Sequence, residues 1–306
     1  MGALIRSAAV STDPTVRSAV DHARIAAQAC LDRAGVGRTE VDLVVNVGVY
    51  RDENLIEPAV AALVQSDLGI NPDYARDAAT APTLSFDLLN GACGLVNAVQ
   101  VAQAFLTAGQ ARNVLVTAAD AHPSGADERP VTFPYDATGA ALLLTRGEDP
   151  RAGFGPVTAT PPAAGPPVVE GYSELAPAHG RARHEVVLRA APDATDRLAE
   201  QAALLARSYA ARHDLDLRRT RLLVSRTTPG LAEAVVRRLG LPTPRRTPSS
   251  LPAPAAHTAS LIADYLEATA AGRPSTLLFL AVGAGPSAAC TAYRPAAPIH
   301  PGQGPR

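Results

Sequence analysis

Apolar and polar positions along this chain alternate between helical and strand-like periods. Thr15 to Ala34 carries an apolar stripe through Val16, Val20, Ile25, Ala26, Ala29 and Leu31 and stops at Gly35, which predicts a helix. Val41 to Val49 is a nearly continuous apolar run of the buried-strand kind. A second helix is expected over Glu57 to Leu68, with Pro58 near its first turn and Gly69 past its end. A strand follows over Thr83 to Leu88, then the turn Asn90 to Leu95, a helix over Val96 to Gly109, and strands at Val114 to Ala118 and Gly139 to Thr145. Helices alternating with buried strands indicate an α/β fold.

Asp149 to Pro192 breaks the pattern: it is rich in Pro, Gly and Ala, with a weak strand candidate at Glu185 to Leu188, and reads as a connection. The pattern then resumes with a helix over Asp196 to Arg212, a strand over Arg221 to Ser225 and a helix over Leu231 to Leu239. A helix opened by His257 runs to Gly272, and strands follow at Thr276 to Val282 and Ala288 to Tyr293. Cys93, its helix, Gly109 and the strand at Val114 correspond to His257, its helix, Gly272 and the strand at Thr276, at nearly equal spacing. This is the signature of an internal duplication. The expected organisation is an N-terminal half over 1–150, a connection over 151–192 and a C-terminal half over 193–306. Cys93 and His257 would then sit at equivalent helix starts.

The sequence has 306 residues, 47% hydrophobic and 19% charged, with a net charge of -1, as in a globular protein with no call for nucleic acid or an anionic membrane. No run is long enough to span a bilayer and no signal-peptide pattern opens the chain, so a cytoplasmic location is expected. Three scattered cysteines make neither a disulfide framework nor a metal site, and no metal is expected. Every basic residue besides histidine is arginine, and the absence of lysine excludes Schiff-base, pyridoxal-phosphate and P-loop chemistry.

Cys93 stands between small neighbours (Gly91, Ala92, Gly94) and an apolar helix. A helix N-terminus lowers the pKa of a thiol and favours the nucleophilic thiolate; the alternative is a small core residue. His257 is either a cap or core histidine or a functional imidazole opposite that thiol. Cys30 and Cys290 read as core packing.

These residues bear a resemblance to a known family. Asp42 to Val45, Leu88 to Gly94 with its cysteine, Ala111 to Val116 and Ala119-Asp120 resemble β-ketoacyl synthase III enzymes of the thiolase superfamily. Tyr135 to Ala140 is similar to that family's Gly-Asp-Gly-Ala-Gly-Ala strand entry, and Val282 to Gly285 to its glycine-rich oxyanion loop. The resemblance implies the five-layered αβαβα thiolase fold and a homodimer. It further implies a nucleophilic Cys93 loaded from an acyl-CoA or acyl carrier protein thioester, which enters as substrate with no cofactor. The oxyanion hole would be formed by the amides of Cys93 and Ala284, with Gly283 beside them.

The sequence also departs from the family. Where the family has His-Gln-Ala-Asn, this chain reads Ser225-Arg226-Thr227-Thr228, and where the family has Gly-Asn-Thr-Ser, His257 replaces the Asn. The segment that helps to form the family's acyl and pantetheine tunnel is largely missing before Thr15. Decarboxylative condensation uses the His and Asn together, whereas loading a thiolate and transferring to a hydroxyl or amine needs one base. The expected activity is therefore acyl transfer from Cys93 to an oxygen, nitrogen or carbon acceptor in specialised metabolism, with His257 as base. Ser225, Arg226 and His122 are candidate site-lining residues, Arg226 being either a surface residue or an anion anchor. The alternatives are a non-catalytic subunit that partners an active synthase, possible as a heterodimer, and a condensing enzyme with a rearranged triad.

Overall fold

The computed structural model describes residues 2–71, 82–125, 132–161, 165–173, 185–242, 257–272, 274–285 and 287–296. The N-terminal half places β1 (Ala3–Ser11), β2 (Leu43–Asn46), β3 (Leu84–Asp87), β4 (Asn113–Asp120) and β5 (Thr138–Arg146) in one sheet, with spatial order β1-β5-β4-β2-β3. Its helices are α1 (Ala19–Ala34), α2 (Val60–Leu68) and α3 (Gly94–Thr107). The short β6 (Gly153–Phe154) and β7 (Thr158–Thr160) come next, followed by a two-stranded hairpin of β8 (Val169–Tyr172) and β9 (Val187–Ala190). The second sheet is completed by β10 (Arg221–Val224), β11 (Leu277–Gly283) and β12 (Ser287–Arg294), with helices α4 (Ala194–Arg212), α5 (Leu231–Leu239) and α6 (Ser260–Ala270).

Strand alternation sorts the side chains into layers. Val44, Leu115 and Leu143 face outward onto α1 and α2, packing with Ala23, Ala27, Leu31 and Val64. Their neighbours Val45, Val116 and Leu142 face inward onto α3 and α6, which also meet Phe279 and Ala281 of the second sheet. Leu278, Leu280 and Val282 point the other way, onto α4 and α5. The result is helix, sheet, helix, sheet, helix, the five-layered arrangement the sequence implied.

The repeat is visible in the order of elements, since β2-α2, α3-β4-β5 in the first half matches β10-α5, α6-β11-β12 in the second. The segment read as a connection does more than link: β6 and β7 pair antiparallel with β12, so the second sheet takes its edge from within 151–192. The strand expected at Glu185 to Leu188 lies at Val187–Ala190 and belongs to the hairpin instead. Short strands paired to a distant partner carry little periodicity of their own, which hid them among the Pro and Gly. The Pro-rich loop before His257 lies outside the described residues.

Helices α1 and α2 start later than expected for a common reason. Helix α1 begins at Ala19, not Thr15, because Ser18 caps the Asp21 amide and the Asp52 carboxylate accepts the amides of Ala19 and Val20. Helix α2 begins at Val60, not Glu57, because Asp87 accepts the amides of Val60 and Ala61. Asp87 is itself paired at 2.9 Å with Arg51, and both side chains are nearly buried. Asp52 therefore ties the loop 47–59, which carries Tyr50, to the start of α1, and Asp87 holds that loop at Arg51 and at its end before Val60.

Candidate active site

The Cys93 environment is built from the ends of α3 and β11. Gly91–Cys93 forms a single 3₁₀ turn that runs directly into α3. Gly94 costs about 1 kcal/mol relative to alanine inside a helix. Even so, a Cβ there would stand 3.1 Å from Val47 Cβ and 3.3 Å from the Leu88 carbonyl, tighter than ordinary packing. Burial of Leu95, Val96 and Val99 at about 2 kcal/mol each outweighs that cost. Cys93 is consequently fixed deep in the central layer, with 1% of its surface exposed.

The sulfur meets β12 and the loop that the sequence marked as glycine-rich. Cys93 Sγ lies 3.8 Å from the Ser287 carbonyl and 3.9 Å from Ser287 Oγ. A Cβ on Gly283 would sit 3.6 Å from that sulfur and 2.8 Å from Ser287 Oγ, so only glycine leaves the approach open. The loop thus lies at the sulfur, and two details of its geometry differ from the expected pair of amides. The Cys93 amide donates to the Asn90 carbonyl at 3.0 Å, because the 3₁₀ turn closes on itself. Gly283, rather than Ala284, presents its amide to the sulfur, while the Ala284 carbonyl accepts from Val168 and Val169.

The thiol titration runs opposite to the expectation from the helix end. Burial pushes the Cys93 thiol up, and the Ser287 hydroxyl and the Gly283 and Ala289 amides offset this only in part. Loss of hydration of a charged sulfur outweighs a helix-end effect of about 0.3–1 kcal/mol.

Helix α6 begins at Ser260 rather than at His257, so His257 stands in the turn before it and not at the cap position that Cys93 holds on α3; it is 4% exposed. Its Nδ1 faces Asp120 Oδ2 at 3.6 Å, ion-pair range but long for a hydrogen bond. Asp120, the last residue of β4, is fully buried and saturated. Its Oδ1 accepts the amides of Val49 and Tyr50 at 2.9 Å, and its Oδ2 accepts the Thr258 amide at 2.9 Å and the Thr258 hydroxyl. Burial alone would raise this carboxyl, but His257, Thr258 and the Tyr50 amide overcome it and hold Asp120 at about 2. An ionised carboxylate in ion-pair range of Nδ1 fixes which edge of the imidazole ring faces β4.

Aromatic rings close around the imidazole. Tyr135 lies 4.7 Å and Tyr50 5.4 Å from the His257 ring, and Phe133 packs edge-on against both tyrosines. The Tyr135 hydroxyl donates to the Thr227 carbonyl at 3.0 Å. Tyr and Phe together number only 12 in the sequence, so this grouping is selective. Asp120, Tyr50 and Tyr135 were missed as site residues; the scarcity of aromatic residues was the available signal for the tyrosines.

The remaining candidates separate. Ser225 is a clamp between strands: its Oγ accepts the Val282 amide at 2.9 Å, which holds the start of the Gly283 loop. Arg226 is buried rather than exposed and pairs with Asp264, and its amide donates to Ser260 Oγ at 3.2 Å. Ser260 Oγ in turn donates to the His257 carbonyl at 2.8 Å. His122 bonds Ser124 and packs edge-on against Phe133 at 5.1 Å, at the rim of the aromatic group, with its pKa lowered by burial. Cys30 and Cys290 are buried in the outer layers, as expected.

Cys93 and His257 are therefore tied to one framework without bonding each other. Gly94 packs on Val47, and the same loop delivers the Val49 and Tyr50 amides to Asp120. On the other side, Ser225 and Arg226 link Val282 to the His257 turn. Among the described residues no hydrogen bond joins Sγ to the imidazole, and no group of three or more His, Cys, Asp or Glu residues is placed to hold a metal.

Comparison with known proteins follows this geometry closely. The family model for 3-oxoacyl-[acyl-carrier-protein (ACP)] synthase III matches residues 86–160, the stretch from β3 through Cys93 to β7. The β-ketoacyl-[acyl-carrier-protein] synthase III of Ehrlichia canis is 32% identical over 132 residues, covering 42% of this chain and 38% of that protein. The matched region therefore spans well under half the length of this curated relative. A tetronic acid condensing enzyme superposes with a TM-score of 0.74 at 21% identity, covering 95% of this chain and 99% of that one. The chain shares the fold of that enzyme, and its residues 86–160 resemble the synthase III family. A 3-oxoacyl-(acyl carrier protein) synthase III from Pseudomonas aeruginosa gives 0.69 at 17% identity, covering 98% of this chain and all of that one. No helix among the described residues is long and apolar enough to cross a membrane.

Proposed function

We propose that this synthase III-like chain is an acyltransferase that carries an acyl group on Cys93. The observation that supports this most is the His257–Asp120 couple: a buried imidazole backed by an ionised carboxylate, in the position where the family's motif has an amide. An amide cannot take a proton from an acceptor, whereas an imidazole can. In the first step Cys93 sulfur bonds to the carbonyl carbon of an acyl-CoA or acyl carrier protein thioester. The donor's carbon–sulfur bond breaks, and its thiolate leaves with the proton lost by Cys93. The Gly283 amide, which presents itself to the sulfur, is the donor this reading assigns to the developing oxyanion. In the second step His257 Nε2 takes the proton of an acceptor hydroxyl or amine, the new carbon–oxygen or carbon–nitrogen bond forms, and Cys93 departs. Specialised metabolism is the setting this reading favours, with no cofactor beyond the thioester substrate.

Intact mass measured after incubation with acyl-CoA is the test. A mass increase equal to the acyl group is expected, and Cys93→Ala abolishes it. No increase with a range of acyl-CoA and acyl carrier protein donors would sink the proposal. A second reading, the non-catalytic partner subunit, draws support from the burial of Cys93 and from its amide being spent on Asn90. Release of carbon dioxide from a malonyl thioester would instead favour a condensing enzyme. The homodimer reading is supported by β3, an edge strand whose Leu84 and flanking Leu89 are each 50% exposed. Light scattering is expected to give twice the chain mass, and a monomer would remove that part of the reading.

A further inference from the structure

A thiolate in a dry layer needs a partner, and cations ordinarily supply it. Neither basic candidate hydrogen-bonds the sulfur here: His257 Nδ1 faces Asp120, and Arg226 is paired with Asp264. The described groups around Sγ are neutral: Ala92 and Gly94 from the turn and α3, Gly283 from β11, and Ser287 and Ala289 from β12. Ser287 is distinct among these in offering a side-chain hydroxyl, and Sγ contacts both its Oγ and its carbonyl oxygen. The bare Gly283 Cα is what makes room, because a Cβ there would collide with that hydroxyl at 2.8 Å.

We infer that Ser287 is the positioning residue that switches Cys93 between thiol and thiolate. In the resting thiol, S–H donates to the Ser287 carbonyl. When the proton leaves, the Ser287 hydroxyl turns and donates to the sulfur anion in its place. The inference rests on the acyl-transfer reading, in which Cys93 reacts as a thiolate, and it assigns to a neutral hydroxyl the task an imidazolium performs in Cys–His pairs.

The test is ultraviolet thiolate absorbance against pH, taken as the difference between the chain and its Cys93→Ala variant. It needs neither substrate nor access to the buried sulfur. Ser287→Ala and Ser287→Gly are each expected to raise the titration midpoint by about one unit, a tenfold loss of thiolate at fixed pH. Ser287→Thr keeps the hydroxyl and is expected to retain the parent midpoint. The inference is overturned if both hydroxyl-free variants, shown to be folded by circular dichroism, titrate like the parent. It also fails if Ser287→Thr shifts as much as Ser287→Ala, or if the parent forms no thiolate before it unfolds. A chain that shows the shift but accepts no acyl group keeps the Ser287 assignment and loses the acyl-transfer reading.

Discussion

Asp120→Ala is expected to destabilise the chain by about 3–5 kcal/mol, the cost of removing one side of a buried charged network. The carboxylate accepts from Val49, Tyr50 and Thr258 and faces His257, and it is fully buried. Alanine leaves these buried amides without their acceptor. A surface aspartate such as Asp149, which bonds only exposed Arg151, sets the comparison: its loss should change stability within experimental scatter. Chemical denaturation of the two variants reads this directly. A loss below 1 kcal/mol for Asp120→Ala would show that the loop relaxes and that Asp120 does not hold the site together.

The same residue gives the chain a characteristic acid response. Its folded pKa, about 2, lies below the unfolded value near 4. The sign follows: the stabilisation is fully present above the unfolded pKa and is lost as pH falls through about 2. A displacement of this size amounts to roughly 2–3 kcal/mol. Asp120→Asn should therefore flatten the dependence of stability on pH across that acid window while leaving the slope elsewhere intact. An unchanged slope would assign the acid response to other carboxylates.

How far such a network is legible in sequence depends on what holds each element. The layers were readable because Val44 and Val45, or Leu278 and Phe279, alternate between two cores, and a buried strand must be apolar on both faces. Cys93 was readable because small residues around a thiol are a local pattern, and the Gly283 loop through its resemblance to a family motif. The starts of α1 and α2 were not, since beyond the adjacent Ser18 the acceptors that fix them are Asp52 and Asp87, tens of residues away. Nor was Asp120 visible as a partner of His257: an aspartate at the end of an apolar strand has no local mark of what it faces 137 positions further on. The thiol's upward shift was missed for a related reason. The helix end is visible in sequence, while the burial that overrides it is a property of the assembled layers.

His257→Ala is expected to separate the two halves of the reaction. Loading of Cys93 needs the sulfur and the Gly283 amide, neither of which bonds the imidazole, so the acyl-enzyme should still form. Transfer to an alcohol or amine needs a base, and its removal should slow turnover by about 10²–10⁴-fold, so the acyl-enzyme accumulates. Intact-mass time courses follow both steps in one sample. His257→Asn sharpens the result, because it restores the amide found in the family's motif while removing the only ionisable nitrogen in the couple. If that variant transfers as fast as the parent, the imidazole works as a hydrogen-bond donor and base catalysis is withdrawn. If it stalls like His257→Ala, the proton has to go to Nε2, and the buried charge of Asp120 is what keeps that nitrogen ready to receive it.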